Sequence, residues 1–341
     1  MKRLFVFPAV ILLALTVCCR PAAVEDNGER TAVMTARKIL TLADEVTLTF
    51  KVLDGKYSQA SVLEDVAFTA KAYPKALAAY ENENGASVVM MPEDCYSIGT
   101  VVVRKMETSG EIVVRIDQKK LRKLSSAKAF LLPLKLESNN PAMKLLDYTY
   151  VVVPSLGDSD ECVRAVIPSA DGYADIYYSD AKGNTDCIVY FPGGGFANHT
   201  PGCISQIVDY CKGKGITLAI VMYRLPNRDR RRTVTDCENA IEMMLTGKAM
   251  LGGYSKLGVM GESAGGYLAA LMSATPPAYV AYSLDDDVVK PNENSHAYCE
   301  ALRKAGVPVK EIPHETGGHH WGQWQDFPAS MFEWIASFHA E

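Results

Sequence analysis

The segment Gly261-Glu262-Ser263-Ala264-Gly265 has the form G-x-S-x-G and stands between an apolar run, Lys256 to Met260, and a run rich in helix formers, Tyr267 to Met272. A serine closing a strand and opening a helix is a nucleophile elbow, in which the turn is so tight that the flanking positions must lack side chains. The geometry exposes the serine hydroxyl at the carboxyl edge of a sheet. A hydroxyl needs a base, and the base needs an orienting carboxylate. Downstream of Ser263 stand Asp285-Asp286-Asp287, just past the apolar run Ala278 to Ser283, and Gly317-Gly318-His319-His320, past the run Val307 to Ile312. An acid and then a histidine, each at a strand end, is the chain order that follows such an elbow. The alkoxide formed on attack needs N–H donors. Ala264, directly after the serine, supplies one. Gly193-Gly194-Gly195, directly after the apolar run Cys187 to Phe191, supplies more through Gly194 and Gly195.

These residues need a scaffold, and the C-terminal half reads as one. Candidate strands at Ala174 to Tyr178, Cys187 to Phe191, Thr217 to Tyr223, Lys256 to Met260, Ala278 to Ser283 and Val307 to Ile312 alternate with helical stretches, clearest at Thr233 to Leu245 and Ser263 to Met272. That alternation predicts right-handed crossovers, a mainly parallel sheet and helices on both faces. The first half has another texture. Val46 to Val52 and Glu111 to Ile116 alternate in character, Thr100 to Arg104 and Tyr148 to Val153 are β-branched runs, and one helix is expected over Ala72 to Tyr80, before the turn Glu81 to Gly85. Short strands separated by Asn, Gly, Pro and Ser predict a small β-sandwich over residues 32–153. Pro154 to Glu161 reads as the linker to a second domain over residues 162–341.

Composition bounds the partners. The 341 residues are 48% hydrophobic and 22% charged, values of a globular chain, and two domains are the natural expectation at this length. A net charge of -5 argues against nucleic acid as a partner. The basic run Arg228 to Arg232 reads as a solvated loop. At the N-terminus Lys2 and Arg3 precede the apolar run Leu4 to Val17, then Cys18-Cys19, so residues 1–19 read as an export signal and residues 20–31 as a tether. The run is too short to span a bilayer as a helix. Leu15-Thr16-Val17-Cys18 resembles the bacterial lipoprotein signal, which implies lipid on Cys18 and a membrane partner through that anchor, in the cell envelope. Val17 stands where a small residue is usual. Seven further cysteines include no Cys-x-x-Cys and no zinc-ligand spacing with histidine; most read as small buried hydrophobes. No metal or organic cofactor is implied, because a serine, a base and an acid supply the chemistry themselves.

Larger resemblances follow. "YFPGGGF", "VMYRLP", "GVMGESAGGYLAA", "PPAYVAYSLDDDVV", "NSHAYCEALRKAGVPVKEI" and "GGHHWG" resemble, in order, the acetyl-xylan-esterase-like and feruloyl-esterase-like α/β hydrolases, from about Ala174 to the C-terminus. The resemblance implies Ser263 as nucleophile, His319 as base and Asp287 as acid, because Asp287 stands four residues before Pro291 as the family's acid does; Asp286 is the fallback. It also implies an ester of an acylated carbohydrate as substrate, acetyl or feruloyl. "AYENENG", "MMPEDCYSIGTVVVRKMETSGEIVVRID" and "AFLLPLKLES" resemble an Ig-like N-terminal domain of bacterial surface lipoproteins, a spacer or glycan-contact module.

The chain departs from the family twice. Pro192 replaces a histidine before the glycines. Between Thr275 and Pro276 a strand and helix are missing, so Ser263 to Asp287 holds only one helix and one strand. Either the sheet is a strand short, or the Ala278 strand pairs directly with Lys256 to Met260; the second is expected, since it keeps the hydrogen bonding continuous. An open, shallow cleft bordered by Phe196 and Trp321 should follow. Two other readings share parts of the pattern: a serine peptidase, which would need a larger accessory domain, and a non-catalytic glycan-binding protein with a degenerate hydrolase domain.

Overall fold

The computed structural model describes residues 30–337 apart from 55–57, 125–127, 147, 160–161, 169–171, 178–185, 200–203, 227–228, 252, 274–276 and 320–328. Cys18, the export signal, residues 20–29 of the expected tether, His320 and Trp321 lie outside the described residues, and the last two tether residues belong instead to the strand Arg30–Met34.

The N-terminal half is β-rich and builds two sheets over one core. The strand Glu45–Asp54 runs in the middle of the first sheet, paired antiparallel with Arg30–Met34 and Ser109–Ile116. Its Val46, Leu48, Phe50 and Val52 point inward at every second position, as the alternation requires. Ala129–Ser138 holds the corresponding place in the second sheet, between Val66–Ala72 and Tyr148–Val153. Phe50 and Phe68 meet across the two sheets with ring centroids 4.6 Å apart. Burying each ring contributes about 1.5–3 kcal/mol. The pairing is mixed: Arg30–Met34 with Lys144–Leu146, Tyr148–Val153 with Lys38–Leu40, and Ala129–Ser138 with Val88–Met90 are parallel. The expected helix at Ala72 to Tyr80 begins later, at Leu77, after a 3-10 turn at Pro74–Ala76, and runs through the expected turn to Asn84. It ends where Gly85 takes φ 58°, the first residue able to adopt a left-handed conformation without strain.

In the C-terminal half six strands form one sheet: β1 (Leu156–Asp158), β2 (Val163–Val166), β3 (Tyr173–Tyr177), β4 (Asp186–Phe191), β5 (Thr217–Met222) and β6 (Lys256–Gly261), in the order β1-β2-β3-β5-β4-β6. Helix α1 (Ile204–Lys214) connects β4 to β5, and α2 (Arg230–Thr246) connects β5 to β6. Both crossovers give parallel pairs, β4 with β5 and β4 with β6. The sheet as a whole is mixed rather than mainly parallel, because β1, β2 and β3 are joined by connections too short for a crossover and must pair antiparallel. Helix α3 (Ala264–Met272) follows β6, and α4 (Ser295–Lys304) separates β7 (Ala278–Ser283) from β8 (Val309–His314). Last comes α5 (Ala329–Ser337).

The expectation that the Ala278 strand pairs with Lys256 to Met260 is wrong. Strand β7 pairs in parallel with β8, and the two form a separate sheet. Among the described residues, side chains anchor this pair to the rest of the domain. Tyr279 of β7 shares a hydrogen bond with Ser330 of α5, and Tyr279 and Met260 of β6 pack on the cluster that α1 and Met331 complete. The loss of continuity shows in the burial: residues 187–191 of β4 are all buried, whereas every residue of β6 is half-exposed.

The two halves share a junction at α2. Lys38 Nζ donates to Asn239 Oδ1 (2.9 Å), and Leu42 N–H donates to Thr246 Oγ1 (3.1 Å). Leu40 and Leu42 fall in one core cluster with Cys237, Ala240, Met243 and Met244.

Candidate active site

Strand β6 delivers Ser263 at its carboxyl end. The serine has φ 50° and ψ -121°, a conformation that an L-residue adopts only when its surroundings force it. The forcing contacts are visible. A Cβ on Gly261 would stand 2.2 Å from the Gly265 carbonyl oxygen, and a Cβ on Gly265 would stand 1.9 Å from that of Phe191. Two glycines therefore let the turn close against β4, and the serine is driven outward and exposed.

His319 follows β8 and faces both other groups. Its Nε2 lies 2.8 Å from Ser263 Oγ and its Nδ1 2.7 Å from Asp286 Oδ2. An ionised carboxylate only accepts, so Nδ1 carries the ring proton and Nε2 is left to accept from the serine hydroxyl. Burial works against ionisation of Asp286, but the hydrogen bonds from His319 and from the Val289 and Val288 N–H groups outweigh it and hold its carboxyl below the usual range. The carboxylate therefore stays charged opposite the ring.

The acid position corrects the expectation by one residue. Asp287 is exposed and does not face His319. Asp286 Oδ1 accepts from Val288 N–H (2.9 Å) and Val289 N–H (2.8 Å), which turns its carboxylate into the loop, and the next residue in so tight a turn points away. Counting back from Pro291 cannot register that turn.

Around the hydroxyl, Ala264 begins α3, where N–H groups lack intrahelical partners. Gly194 and Gly195 have φ 121° and 61°. The glycine pressed against the elbow is Gly193, whose Cβ would stand 3.2 Å from that of Ser263, while a Cβ on Gly195 would meet open space. Tyr223 OH donates to the Pro192 carbonyl (2.6 Å) from a buried position and braces this loop, a role that the motif reading missed. Phe196, at φ 61°, packs edge-on against Tyr267 at 6.2 Å between centroids. Tyr267 could have been found by its spacing, one turn after Ser263 on the same helix face. Among the described residues, no group of His, Cys, Asp and Glu side chains is arranged to hold a metal ion.

Residues 174–302 match the family model BD-FAE, an esterase family. Over these residues the chain is similar to that esterase family. The enzyme class is thereby a hydrolase acting on carboxylic esters. Residues 20–143 match a second model, described as an N-terminal domain. No curated protein matches the chain. Among solved structures the chain is similar to esterase 2 of Thermogutta terrifontis with bound propionate, at 20% identity and TM-score 0.43, covering 51% of this chain and 90% of that one. It is similar to an acetyl ester-xyloside bifunctional hydrolase from Caldicellulosiruptor lactoaceticus, at 19% identity and TM-score 0.45, covering 51% and 92%. It is also similar to an α/β hydrolase, MGS-M1, from a deep-sea metagenome of the Medee basin, at 18% identity and TM-score 0.48, covering 54% and 97%.

The six cysteines of the described residues are free, and five are buried, three of them (Cys187, Cys211 and Cys237) in the apolar clusters of the esterase domain or its junction. Burial pushes the Cys211 thiol up to about 12, far from a reactive thiolate.

Proposed function

We propose that the chain is an exported serine esterase that removes acetyl or feruloyl groups from polysaccharides. The observation that carries this reading is the hydrogen-bonded series Ser263, His319, Asp286 on a strained, exposed serine. His319 Nε2 takes the Ser263 proton as Oγ attacks the ester carbonyl, and the imidazolium so formed is stabilised by Asp286. The N–H of Ala264 and those of the Gly193 to Gly195 loop receive the charge on the carbonyl oxygen. The ring then returns its proton to the departing sugar hydroxyl, leaving an acyl-serine that water cleaves by the same relay in reverse. An exposed Ser263 beside a half-exposed β6 supports a substrate as bulky as an acylated glycan.

The finer domain reading is a signal over residues 1–19, a tether that ends where the strand Arg30–Met34 begins, an Ig-like sandwich up to 153 serving as a spacer, and a hydrolase whose sheet starts at β1, inside the segment 154–161 expected as a linker. Lipid on Cys18 would hold the enzyme at the cell envelope, and fractionation that recovers the full chain free of membranes would refute the anchor. The decisive experiment is turnover of p-nitrophenyl acetate and of acetylated and feruloylated xylan by the purified protein. Ser263→Ala should lower the rate by roughly 10³-fold or more while leaving the fold intact. Activity within tenfold of the parent would sink the assignment.

A further inference from the structure

In this chain the base follows a two-stranded sheet that, among the described residues, is not paired with the strand bearing the nucleophile. Sheet continuity therefore cannot set the distance from His319 to Ser263, and something else must fix the histidine loop. The loops after β7 and β8 are fastened to each other at three successive residues. Leu284 N–H donates to the His314 carbonyl (2.7 Å). Asp285 Oδ1 accepts from Gly318 N–H (2.8 Å), with Gly317 N–H 3.4 Å from its other oxygen. Asp286 accepts from the His319 ring. Gly317 and Gly318 have φ 142° and 57°, so the segment leading into the histidine has wide conformational freedom unless it is held. The Asp285 carboxylate holds it, one residue before the base.

We propose that Asp285 is a positioning residue for the esterase reaction, acting through the Gly317–Gly318 backbone to keep His319 Nε2 in line with Ser263 Oγ. The two adjacent carboxylates then have separate tasks: Asp285 fixes where the ring is, and Asp286 fixes which way it faces. The inference rests on the Ser263–His319 reading above. What Asp285 supplies is an acceptor at one place, not a charge near the reaction, so an amide oxygen at the same place should serve.

The test compares Asp285→Ala, Asp285→Asn and Asp285→Glu in the full chain, with p-nitrophenyl acetate as substrate. Asp285→Ala should lower kcat by about ten- to a hundredfold with KM changed less than about twofold, as a misplaced base does. Asp285→Asn should recover to within about threefold of the parent. Asp285→Glu, with its carboxylate a methylene out of place, should lose kcat severalfold, and it stands in for the alanine variant should that one not fold. In a His319→Ala background Asp285→Ala should add less than about a twofold loss, because its only route to the chemistry is already gone. Parent-like kcat in Asp285→Ala, an asparagine variant as slow as alanine, or a full second loss in the His319→Ala background would each overturn the proposal. Retained activity in Ser263→Ala would instead overturn the reading beneath it, so the two failures are told apart.

Discussion

At the residue scale the site depends on which neighbour in a run of like residues faces inward. Asp285, Asp286 and Asp287 are chemically identical, and only the local turn distinguishes them. The two valine N–H groups select Asp286 by drawing its carboxylate into the loop. Asp286→Ala should therefore cost about 10³-fold or more in kcat by releasing the ring's tautomer and orientation, whereas Asp287→Ala should stay within about threefold. Steady-state kinetics of the two variants decide it, and exchanged outcomes would return the acid to Asp287. Ser263 and His319, the proposed nucleophile and base, could be singled out because each stands beside glycines at a strand end, a local pattern. The carboxylate that faces His319 was legible only to within a residue, because the deciding contacts are backbone N–H groups that no side-chain pattern records. Tyr223 and Asp285 were not legible as parts of the site, since their partners are backbone atoms of distant segments.

At the scale of elements, strand positions were readable where apolar runs are bounded by Gly, Pro or Asn, and β7 was placed at Ala278–Ser283 from sequence alone. Its pairing was not readable, because an apolar strand carries no label for its partner. The small sheet holds together through a polar cluster on Glu311 of β8. Its carboxylate accepts from Tyr282 OH (2.6 Å), lies 2.8 Å from His296 Nδ1 of α4, and accepts from Arg303 (2.5 Å), tying α4 to both strands. Burial opposes ionisation of Glu311, but those three hydrogen bonds outweigh it and bring its pKa down to about 2. A carboxylate whose pKa is depressed on folding contributes stability that is present above its unfolded value, about 4.3, and is lost as pH falls towards 2. Melting temperatures of the parent should thus fall between about pH 4.5 and 2, and part of that fall should be missing in Glu311→Gln, which starts less stable at neutral pH. Parallel pH curves for the two proteins would show that Glu311 is not the group responsible.

For the whole molecule, the question is whether the β-rich half merely precedes the esterase domain or is welded to it. The residues at the junction favour a weld. Arg224, directly after the segment that braces the glycine loop, has a side chain only 8% exposed and is paired with Asp236, which is 0% exposed. Its Nε and Nη2 reach the carboxylate, its backbone N–H reaches Asp236 Oδ2 (2.8 Å), and its Nη1 donates to the Gly85 carbonyl (3.1 Å) at the end of the first-half helix. Burying an ion pair yields little net stability over an apolar pair, but removing one partner strands the other without solvent. Asp236→Ala should therefore cost about 3–5 kcal/mol, and the loss should fall on the contact between halves, because the freed guanidinium must leave Gly85 to reach water. Nearby, burial lowers the Lys38 ammonium and raises the Glu242 carboxyl, so charge at this end of the junction is also held against the pull of burial. Calorimetry should show one unfolding transition for the parent, whose core cluster runs through both halves, and two separated transitions for Asp236→Ala, with the esterase domain melting first. A single transition merely shifted to lower temperature would mean that the shared apolar core around Leu40, Leu42 and Met243 couples the halves by itself, and that the buried pair serves the esterase domain alone.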